Sequence, residues 1–149
     1  MQPDVNHEIL AVVDGEDRVI GRATRADVHR RKLYHRAVHI LVFNTRGELY
    51  VQRRAEHKDC APGLWDTSAA GHVDYGEDYA AAAHRELAEE LGLHQQRLDF
   101  CWALAATAAS GNEFVHVYRC TSDQQPHPDC DEIAESRWIS MTALGDWIE

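Results

Sequence analysis

Three glutamates near the middle of the chain, Glu86, Glu89 and Glu90, have the residue type and spacing needed to bind a divalent cation. Side chains three and four positions apart lie on the same side of an α-helix, so these carboxylates would share one patch. Like charges placed in this way oppose helix formation by roughly 0.2–0.5 kcal/mol per pair, and a bound cation reverses that cost. Carboxylate oxygens suit Mg²⁺, whose remaining positions are filled by water and substrate phosphate. The three glutamates therefore predict a magnesium site, with Mn²⁺ as a possible substitute.

The segment that carries the glutamates is predicted to be an amphipathic helix over residues 78–91. It is rich in strong helix formers, and an apolar stripe recurs along it at three-to-four spacing, consisting of Tyr79, Ala83, Leu87 and Leu91. Gly92 is expected to end the helix as a C-cap glycine, and Gly76 to form the tight turn before it. The carboxylates then project away from the apolar stripe. For the run ELAEELG alone, an acidic helix that simply faces solvent is the alternative.

Residues at fixed positions around the glutamates resemble the complete signature of the Nudix hydrolase family. Gly71 is followed after five residues by Glu77, and after seven more by RELAEELGL at residues 85–93. A merely solvated acidic helix gives no reason for these surrounding residues to coincide. The resemblance implies a loop-helix-loop in which Gly71 allows close backbone approach to a metal or phosphate. It also implies that Glu77 and Arg85 brace the loop and orient Glu86.

The same resemblance implies a set of site residues and a reaction. The metal would be held by the Gly71 carbonyl and by the three glutamates, and Glu86 is a candidate general base. Many Nudix enzymes recruit one acid outside the helix, and Glu113 is the candidate here, with a plain surface turn residue as the alternative. The expected catalytic residues are Glu77, Arg85, Glu86 and Glu113. The expected reaction is hydrolysis of a phosphoanhydride bond in a substrate X-diphosphate, in which X includes nucleosides.

A wider resemblance, over residues 12–138, is to the Nudix branch that includes type-one isopentenyl diphosphate isomerase. It is carried by His29 and by the runs YHRA at 34–37, FNTRGELYVQRRA at 43–55, PGLW at 62–65 and GH at 71–72. The isomerase relies on a cysteine beside the Gly-His step and on a pair of acids after the helix. Here Ala70 stands at the cysteine position and Gly111 replaces one acid. Alkene isomerisation needs an acid and a base on opposite faces, so hydrolysis is favoured and the isomerase is the rival.

A catalytically silent nucleotide-binding module is the non-enzymatic alternative, and the intact glutamates argue against it. Histidines widen the possible chemistry, because three imidazoles gathered in a fold can bind zinc or manganese. A structural role is favoured for His35 and His116, whereas His72 follows Gly71, corresponds to a metal-ligating position in the isomerase and is left open. His72 and Arg53 are the predicted substrate-binding residues. Arg53 stands out among the basic residues because it ends a strand that leads towards the Trp65 loop.

Composition limits the classes of partner. The chain has 149 residues and a formal net charge of -10, from 25 acidic and 15 basic side chains, which disfavours binding to bulk nucleic acid. No apolar run approaches the ~20 residues of a membrane span, and the first residues lack the basic and apolar regions of a signal peptide. We therefore expect one cytoplasmic domain over residues 1–149 that acts on a small-molecule diphosphate, with a homodimer left open. The four cysteines, expected to be reduced packing residues, are Cys60, Cys101, Cys120 and Cys130.

Hydrophobic patterning predicts the elements that position these residues. Helices are expected over residues 25–31 and 78–91 and from about Thr142 onwards. Turn residues such as Asn44 to Gly47 and Ser110 to Asn112 separate the strands. Strands are predicted at 9–14, 18–23, 37–43, 48–53, 65–70, 98–107, 114–121 and 135–139. Strands mixed with helices in this order indicate an α/β protein, and the resemblance implies an α/β/α sandwich with a mixed β-sheet.

Overall fold

The computed structural model describes residues 8–58 and 62–148. Cys60 and the N-terminal residues used in the signal-peptide argument lie outside the described residues. Within the described ranges, nine strands and three helices follow one another as β1 (Ile9–Val13), β2 (Val19–Thr24), α1 (Arg25–Arg31), β3 (His35–Phe43), β4 (Leu49–Arg54), β5 (Trp65–Asp66), β6 (Ala69–His72), α2 (Tyr79–Leu91), β7 (Asp99–Leu104), β8 (Glu113–Thr121), β9 (Ile133–Ile139) and α3 (Met141–Ile148).

Strand β3 is the hub of the sheet. It pairs in parallel with β8 along its whole length, from His35↔Glu113 to Phe43↔Thr121. It also pairs antiparallel with β6, and it meets β1 and β4 near its two ends. Parallel and antiparallel pairs therefore coexist, and with helices packed against the sheet they confirm the predicted mixed α/β sandwich.

Helix α2 forms where its sequence predicts. Asp78 is the N-cap residue, its side chain accepting a 2.7 Å hydrogen bond from the Ala81 backbone N–H, and Gly92 closes the helix in the left-handed region at φ 67°. The predicted stripe is buried together with Ala82. It packs against β3 residues such as Ile40. Complete burial of one leucine of this stripe contributes about 1.5–3 kcal/mol, which outweighs the repulsion between the glutamates.

Alternation along β3 separates the core from the opposite face of the strand. Val38, Ile40 and Val42 are fully buried in the cluster that includes Leu87 of α2. Because successive side chains of a strand point to opposite faces, His35 and His39 lie on the other side. The side of β3 away from α2 therefore carries two imidazoles beside the smaller apolar cluster of Ala37 and Leu41.

The prediction of one strand over residues 65–70 is wrong. The Asp66 carboxylate accepts a 2.7 Å hydrogen bond from the Thr67 backbone N–H, a local turn that ends β5 after two residues. The fully buried Ser68 hydroxyl then accepts from the Val42 N–H at 2.8 Å and donates to the Tyr50 carbonyl. The chain thus leaves β4, which β5 pairs with, and joins β3 as β6.

Smaller differences concern single residues and the ends of elements. Strand β7 ends at Leu104, three residues earlier than predicted. Among the described cysteines, Cys120 is a buried thiol of the core as expected, whereas Cys130 is exposed. None of the described helices combines the length and apolar character that crossing a membrane requires.

Candidate active site

Gly71 is a glycine because Glu86 occupies the space beside it. A Cβ added to Gly71 would lie 2.1 Å from the Glu86 carboxylate carbon, far inside van der Waals contact. Gly71 lies on β6 and pairs with Val38, on the side of the sheet that faces α2. The missing side chain therefore lets the α2 carboxylate reach the backbone of β6. The sequence analysis expected Gly71 to make room for a metal or phosphate, whereas here it makes room for Glu86.

Arg85 ties the loop before α2 to the glutamates. Its guanidinium donates two hydrogen bonds to the Glu77 carboxylate, from Nε at 2.8 Å and from Nη2 at 2.9 Å. Nη2 also donates to the His72 carbonyl at 3.0 Å, and Nη1 reaches Glu86 at 2.7 Å and Glu89 at 3.3 Å. Bidentate pairing is the strongest geometry available to arginine. These contacts agree with the bracing that the sequence predicts for Glu77 and Arg85.

Burial raises the pKa of two of the three glutamates. Desolvation raises the pKa of Glu86 to about 7 even though the Arg85 charge lowers it, and the neighbouring Glu89 raises it further. The pKa of Glu90 is raised well above its ordinary value by burial and then by Glu86. Glu90 Oε2 accepts from the Ala70 backbone N–H at 3.3 Å and from the Gln52 amide at 3.2 Å. These hydrogen bonds fix the carboxylate without neutralising it.

The glutamates open into a cavity of about 620 Å³, named here the acidic cavity. Its acidic lining residues outnumber the basic ones and are Glu8, Glu86, Glu89, Glu90, Asp129, Asp131 and Glu132. The basic residues on its wall are Arg25, Arg54 and Lys58. Carboxylate oxygens in excess of positive side chains are the donor set of a hard divalent cation such as Mg²⁺. The glutamates with raised pKa values are therefore a fitting site for the predicted metal.

Glu113 lies between two imidazoles on the other side of β6. Its Oε2 is 3.1 Å from His72 Nε2 and 3.3 Å from Nε2 of His35, whose side chain is almost fully buried. Burial alone would raise the pKa of Glu113, but the hydrogen bonds from His35 and His72 outweigh it and hold the pKa well below its usual range. His35 Nδ1 lies 2.9 Å from the Leu33 carbonyl oxygen. Since a carbonyl only accepts, Nδ1 carries a proton, and donation from Nε2 to Glu113 requires the imidazolium form, in which both ring nitrogens are protonated.

His29 completes a group that the sequence did not single out as a metal site. Possible ligand atoms of His29, His35 and His72 all lie within 4.8 Å of one another. Three imidazoles beside a carboxylate form a donor set that suits Zn²⁺ or Mn²⁺ better than Mg²⁺. The grouping goes beyond the structural role that the sequence favours for His35.

These imidazoles line a second cavity of about 880 Å³, named here the histidine cavity. Its wall comes from one side of α1, from β3 and β6, and from the turn at 108–113. Residues of both cavities include Arg25, Arg54, Ala70, Gly71 and His72. The two cavities therefore adjoin at these residues.

The structure brings most of the predicted site residues together, but it places Arg53 elsewhere. Arg53 lies outside the described lining of both cavities and pairs with Glu56 at 3.1 Å and Glu135 at 3.4 Å. Its neighbour Arg54 lines both cavities instead, because adjacent residues of a strand point to opposite faces. His116 stacks on the Tyr79 ring with the centroids 3.4 Å apart, consistent with the structural role favoured for it.

Several cavity residues were missed by the sequence analysis. Arg25 and His29 are four positions apart on α1, so helical spacing could have placed them on one face. The strand alternation that puts Gln52 against Glu90 also puts Arg54 at the cavity. No comparable signal exists for Glu8, Asp129 or Asp131, which long connections bring to the site. Spacing within one element is readable from sequence, whereas a meeting of distant segments is not.

The site therefore combines a carboxylate that fits beside a glycine, an arginine that holds it, and a cluster of acids. A comparison with protein families finds the same region. A NUDIX domain model matches residues 33–148. The chain belongs to the Nudix family. The crystal structure of DR0079 from Deinococcus radiodurans superposes on this Nudix domain with a TM-score of 0.82 at 28% identity, covering 95% of this chain and 88% of that one.

Two relatives of this Nudix domain carry different names. Isopentenyl-diphosphate Delta-isomerase 2 of Photorhabdus laumondii is 37% identical over 141 residues, covering 92% of this chain and 80% of that protein. An uncharacterised Nudix hydrolase of Pseudomonas aeruginosa is 39% identical over 132 residues, covering 89% and 78%. The resemblance to both branches is thus confirmed, and the choice between the two reactions depends on the residues of the site.

Proposed function

We propose that this Nudix domain is a metal-dependent hydrolase that cleaves the phosphoanhydride bond of an X-diphosphate, with nucleoside diphosphate-linked compounds as the first candidates. The observation that carries the proposal is the acidic cavity. It combines buried glutamates of raised pKa with Arg25, Arg54 and Lys58 on the facing wall. A diphosphate needs both features, because cations must neutralise its oxygens and side-chain donors must hold them in place.

Glu86, Glu89 and Glu90, with the Gly71 carbonyl, would hold the Mg²⁺ or Mn²⁺. When bound, such an ion polarises a phosphoryl oxygen and lowers the pKa of a bound water. Arg85 keeps Glu86 and Glu89 in register through one nitrogen, and Glu77 keeps Arg85 in place. The bracing pair thus fixes the direction in which the carboxylates meet the substrate.

The basic residues of the shared wall have a separate role. Arg54 and Arg25, which line both cavities, would donate hydrogen bonds to phosphate oxygens at the junction. Arg54 also lies 3.8 Å from Asp66, which keeps its guanidinium near the strand. This assignment gives Arg54 the part that the sequence predicts for Arg53.

Bond breaking follows from a positioned water and a carboxylate base. The water oxygen bonds to phosphorus, its proton passes to a carboxylate oxygen, and the bridging P–O bond breaks so that the leaving phosphate departs with that electron pair. Glu86 is the proposed base, because its carboxylate lines the acidic cavity beside Glu89 and Glu90. Glu113 remains the predicted acid outside the helix, held by His35 and His72.

The isomerase is the second candidate because a 37% identical relative carries that name. Ala70 has a methyl group where the isomerase has its cysteine, and a methyl group neither donates nor accepts a proton. Gly111 removes a further acid, and the retained Glu113 is already engaged by two imidazoles. The parts needed to protonate and deprotonate an alkene on opposite faces are therefore incomplete.

A substrate panel tests the proposal. Purified protein with Mg²⁺ or Mn²⁺ is incubated with nucleoside di- and triphosphates, dinucleotides and prenyl diphosphates, and phosphate release is measured. We expect release from at least one diphosphate-linked compound, no release in excess chelator, and recovery when Mg²⁺ is restored. Isopentenyl diphosphate should give no isomer of unchanged mass. Robust isomerisation without any phosphate release would reverse the assignment, and ligand binding without turnover would indicate a silent module.

A further inference from the structure

The histidine cavity presents a row of basic side chains that hydrolysis of a diphosphate does not itself require. Arg25, His29 and Lys32 are spaced by four and three residues, so they share one face of α1 and its C-cap, and all three line this cavity. Val28 lies on the same face and is fully buried, which seats the helix against β1. The row therefore faces the cavity in a fixed orientation.

Lys32 occupies a backbone position that normally selects another residue. It caps α1 in the left-handed conformation, at φ 55° and ψ 45°, where glycine or asparagine is favoured. The Asn112 side chain donates a 2.9 Å hydrogen bond to the Lys32 carbonyl, which anchors this cap to the adjacent turn at 108–113. The cap therefore fixes where the Lys32 side chain leaves the helix.

The charges around Lys32 leave its ammonium group available. Lys32 forms no ion pair with any residue of the described ranges, and its side chain is exposed at the cavity. The two acids that line the same cavity are engaged elsewhere, Glu113 with His35 and His72, and Asp66 with Arg54 and His39. The chain as a whole has a net charge of -10, so this positively charged rim is a local exception.

Aromatic stacking does not explain the cavity. Among its described lining residues there is no phenylalanine, tyrosine or tryptophan, which are the usual platforms for a nucleobase. Charged and hydrogen-bonding groups are present on its wall, among them Arg25, Lys32 and Asn112. A ligand that enters through the junction with its diphosphate in the acidic cavity brings its group X against Lys32 and His29.

We propose that the histidine cavity binds an anionic group of X, namely a phosphate separate from the scissile diphosphate, and that Lys32 is its principal ligand. The substrate class is thereby narrowed to diphosphates whose X moiety carries its own phosphate. The inference rests on the proposed hydrolase function. Arg25, which lines both cavities, belongs to the scissile diphosphate, whereas Lys32 lines only the histidine cavity.

Matched pairs of compounds test the inference, since each pair differs by one phosphate. The probes are coenzyme A with dephospho-coenzyme A, and NADP⁺ with NAD⁺, and the quantity compared is kcat/KM with Mg²⁺. We expect the phosphorylated member of at least one pair to be preferred by about tenfold, the effect of one charge-assisted hydrogen bond. Lys32→Asn, which suits the left-handed backbone, should remove most of that preference while keeping the protein folded. Arg31→Gln, on the same helix outside both cavities, is the matched control and should retain it.

The outcomes separate the inference from the function on which it rests. Equal kcat/KM for both members of each pair, or an equal loss for both members in Lys32→Asn, would overturn the inference and leave the hydrolase proposal intact. If neither these four compounds nor any compound of the wider panel is hydrolysed, both the inference and the hydrolase proposal are overturned. A thermal unfolding scan of Lys32→Asn shows whether the variant is folded, and we expect no decrease in its melting temperature.

Discussion

The acidic cavity and the histidine cavity lie on either side of β6, yet they balance negative charge in opposite ways. In the first, burial and like-charge neighbours raise the pKa values of Glu86 and Glu90. In the second, burial also acts on Glu113, but two imidazoles donate to it and its pKa falls. One region holds carboxylates that lack a sufficient counter-charge, and the other supplies the counter-charge from its own side chains.

The difference indicates which region depends on an external cation. Like charges held together in a buried place destabilise the fold until something neutralises them. We therefore expect a cation bound in the acidic cavity to raise the free energy of unfolding. A cation that enters the histidine cluster must instead replace hydrogen bonds that already satisfy Glu113. We therefore expect Glu86, Glu89 and Glu90 of α2 to determine the rate of turnover, and Glu113 of β8 to determine local stability.

Charge removal at the glutamates should have the largest effect on activity. Glu89→Gln and Glu90→Gln are each expected to lower kcat by about 10²-fold or more, the scale of a lost electrostatic contribution to the transition state. Steady-state kinetics on the substrate found in the panel measures the loss. Glu135→Gln is the control, because Glu135 is an exposed partner of Arg53 on β9 and should change kcat little. Equal losses at all three positions would mean that damage to the fold is being measured.

A single methyl group at Gly71 should disrupt the acidic region almost as strongly. Gly71→Ala places a Cβ where Glu86 lies, so the carboxylate must move, and a displacement of this size costs about 10–100-fold in kcat/KM. Gly21→Ala is the matched control, since no atom lies within 4 Å of its added Cβ. Wild-type activity in Gly71→Ala would show that the close contact with Glu86 is unimportant for catalysis.

The opposite pKa shifts predict opposite dependences of stability on pH. The contribution of Glu86 to stability is complete below its unfolded pKa of 4.5 and is lost as pH rises through about 7. Urea unfolding of metal-free protein should therefore show that Glu86→Gln gains stability over wild type from pH 5 to pH 8, by on the order of 2–3 kcal/mol. Added Mg²⁺ should stabilise wild type more than the variant. A difference that stays constant with pH would contradict the raised pKa.

Glu113→Gln should separate stability from turnover in the other region. The carboxylate contributes stability above its unfolded pKa of 4.5, and this contribution is lost as pH falls through its depressed folded pKa. At pH 8 the variant should be less stable than wild type by about 1–3 kcal/mol, because two imidazoles lose a charged acceptor. We expect a loss of kcat below about tenfold, which is less than the roughly 10²–10⁴-fold contribution of a general acid or base. A loss equal to that of Glu90→Gln would instead place Glu113 among the catalytic groups.

Residues within single elements were predictable from sequence. The apolar stripe of α2, its Asp78 and Gly92 ends, and the shared side of its glutamates follow from helical period and from capping chemistry. These are short-range properties, and they place the three glutamates of the acidic cavity but not its lining residues Glu8, Asp129 and Asp131. The boundary of β3 at His35 and the split between β5 and β6 depend instead on which distant strand pairs with each segment.

Arg53 and Arg54 show that the sequence alone did not identify which of two adjacent arginines lies at the site. Arg53 and Arg54 have the same chemistry, and a strand directs one of them to each face. Only the pairing of Gln52 with Glu90 reveals which face carries the site. Likewise, His35 has no visible relation to Glu113 until β3 and β8 align in parallel. Local pattern defines what a residue can do, and tertiary pairing decides whether it is used.

The parallel pairing of β3 with β8 also has a consequence for the order of assembly during folding. His35 and Glu113 are 78 residues apart in sequence, so their contact closes a long loop, whereas Gly71 and Glu86 meet within one continuous segment. Contacts of high sequence separation form slowly, because chain entropy is lost before the contact is gained. The contact between Gly71 and Glu86 can therefore form while the histidine cavity is still open. A nascent chain that has not yet delivered β8 can hold α2 against β6, but it lacks Glu113 and the wall that the turn at 108–113 contributes to the histidine cavity.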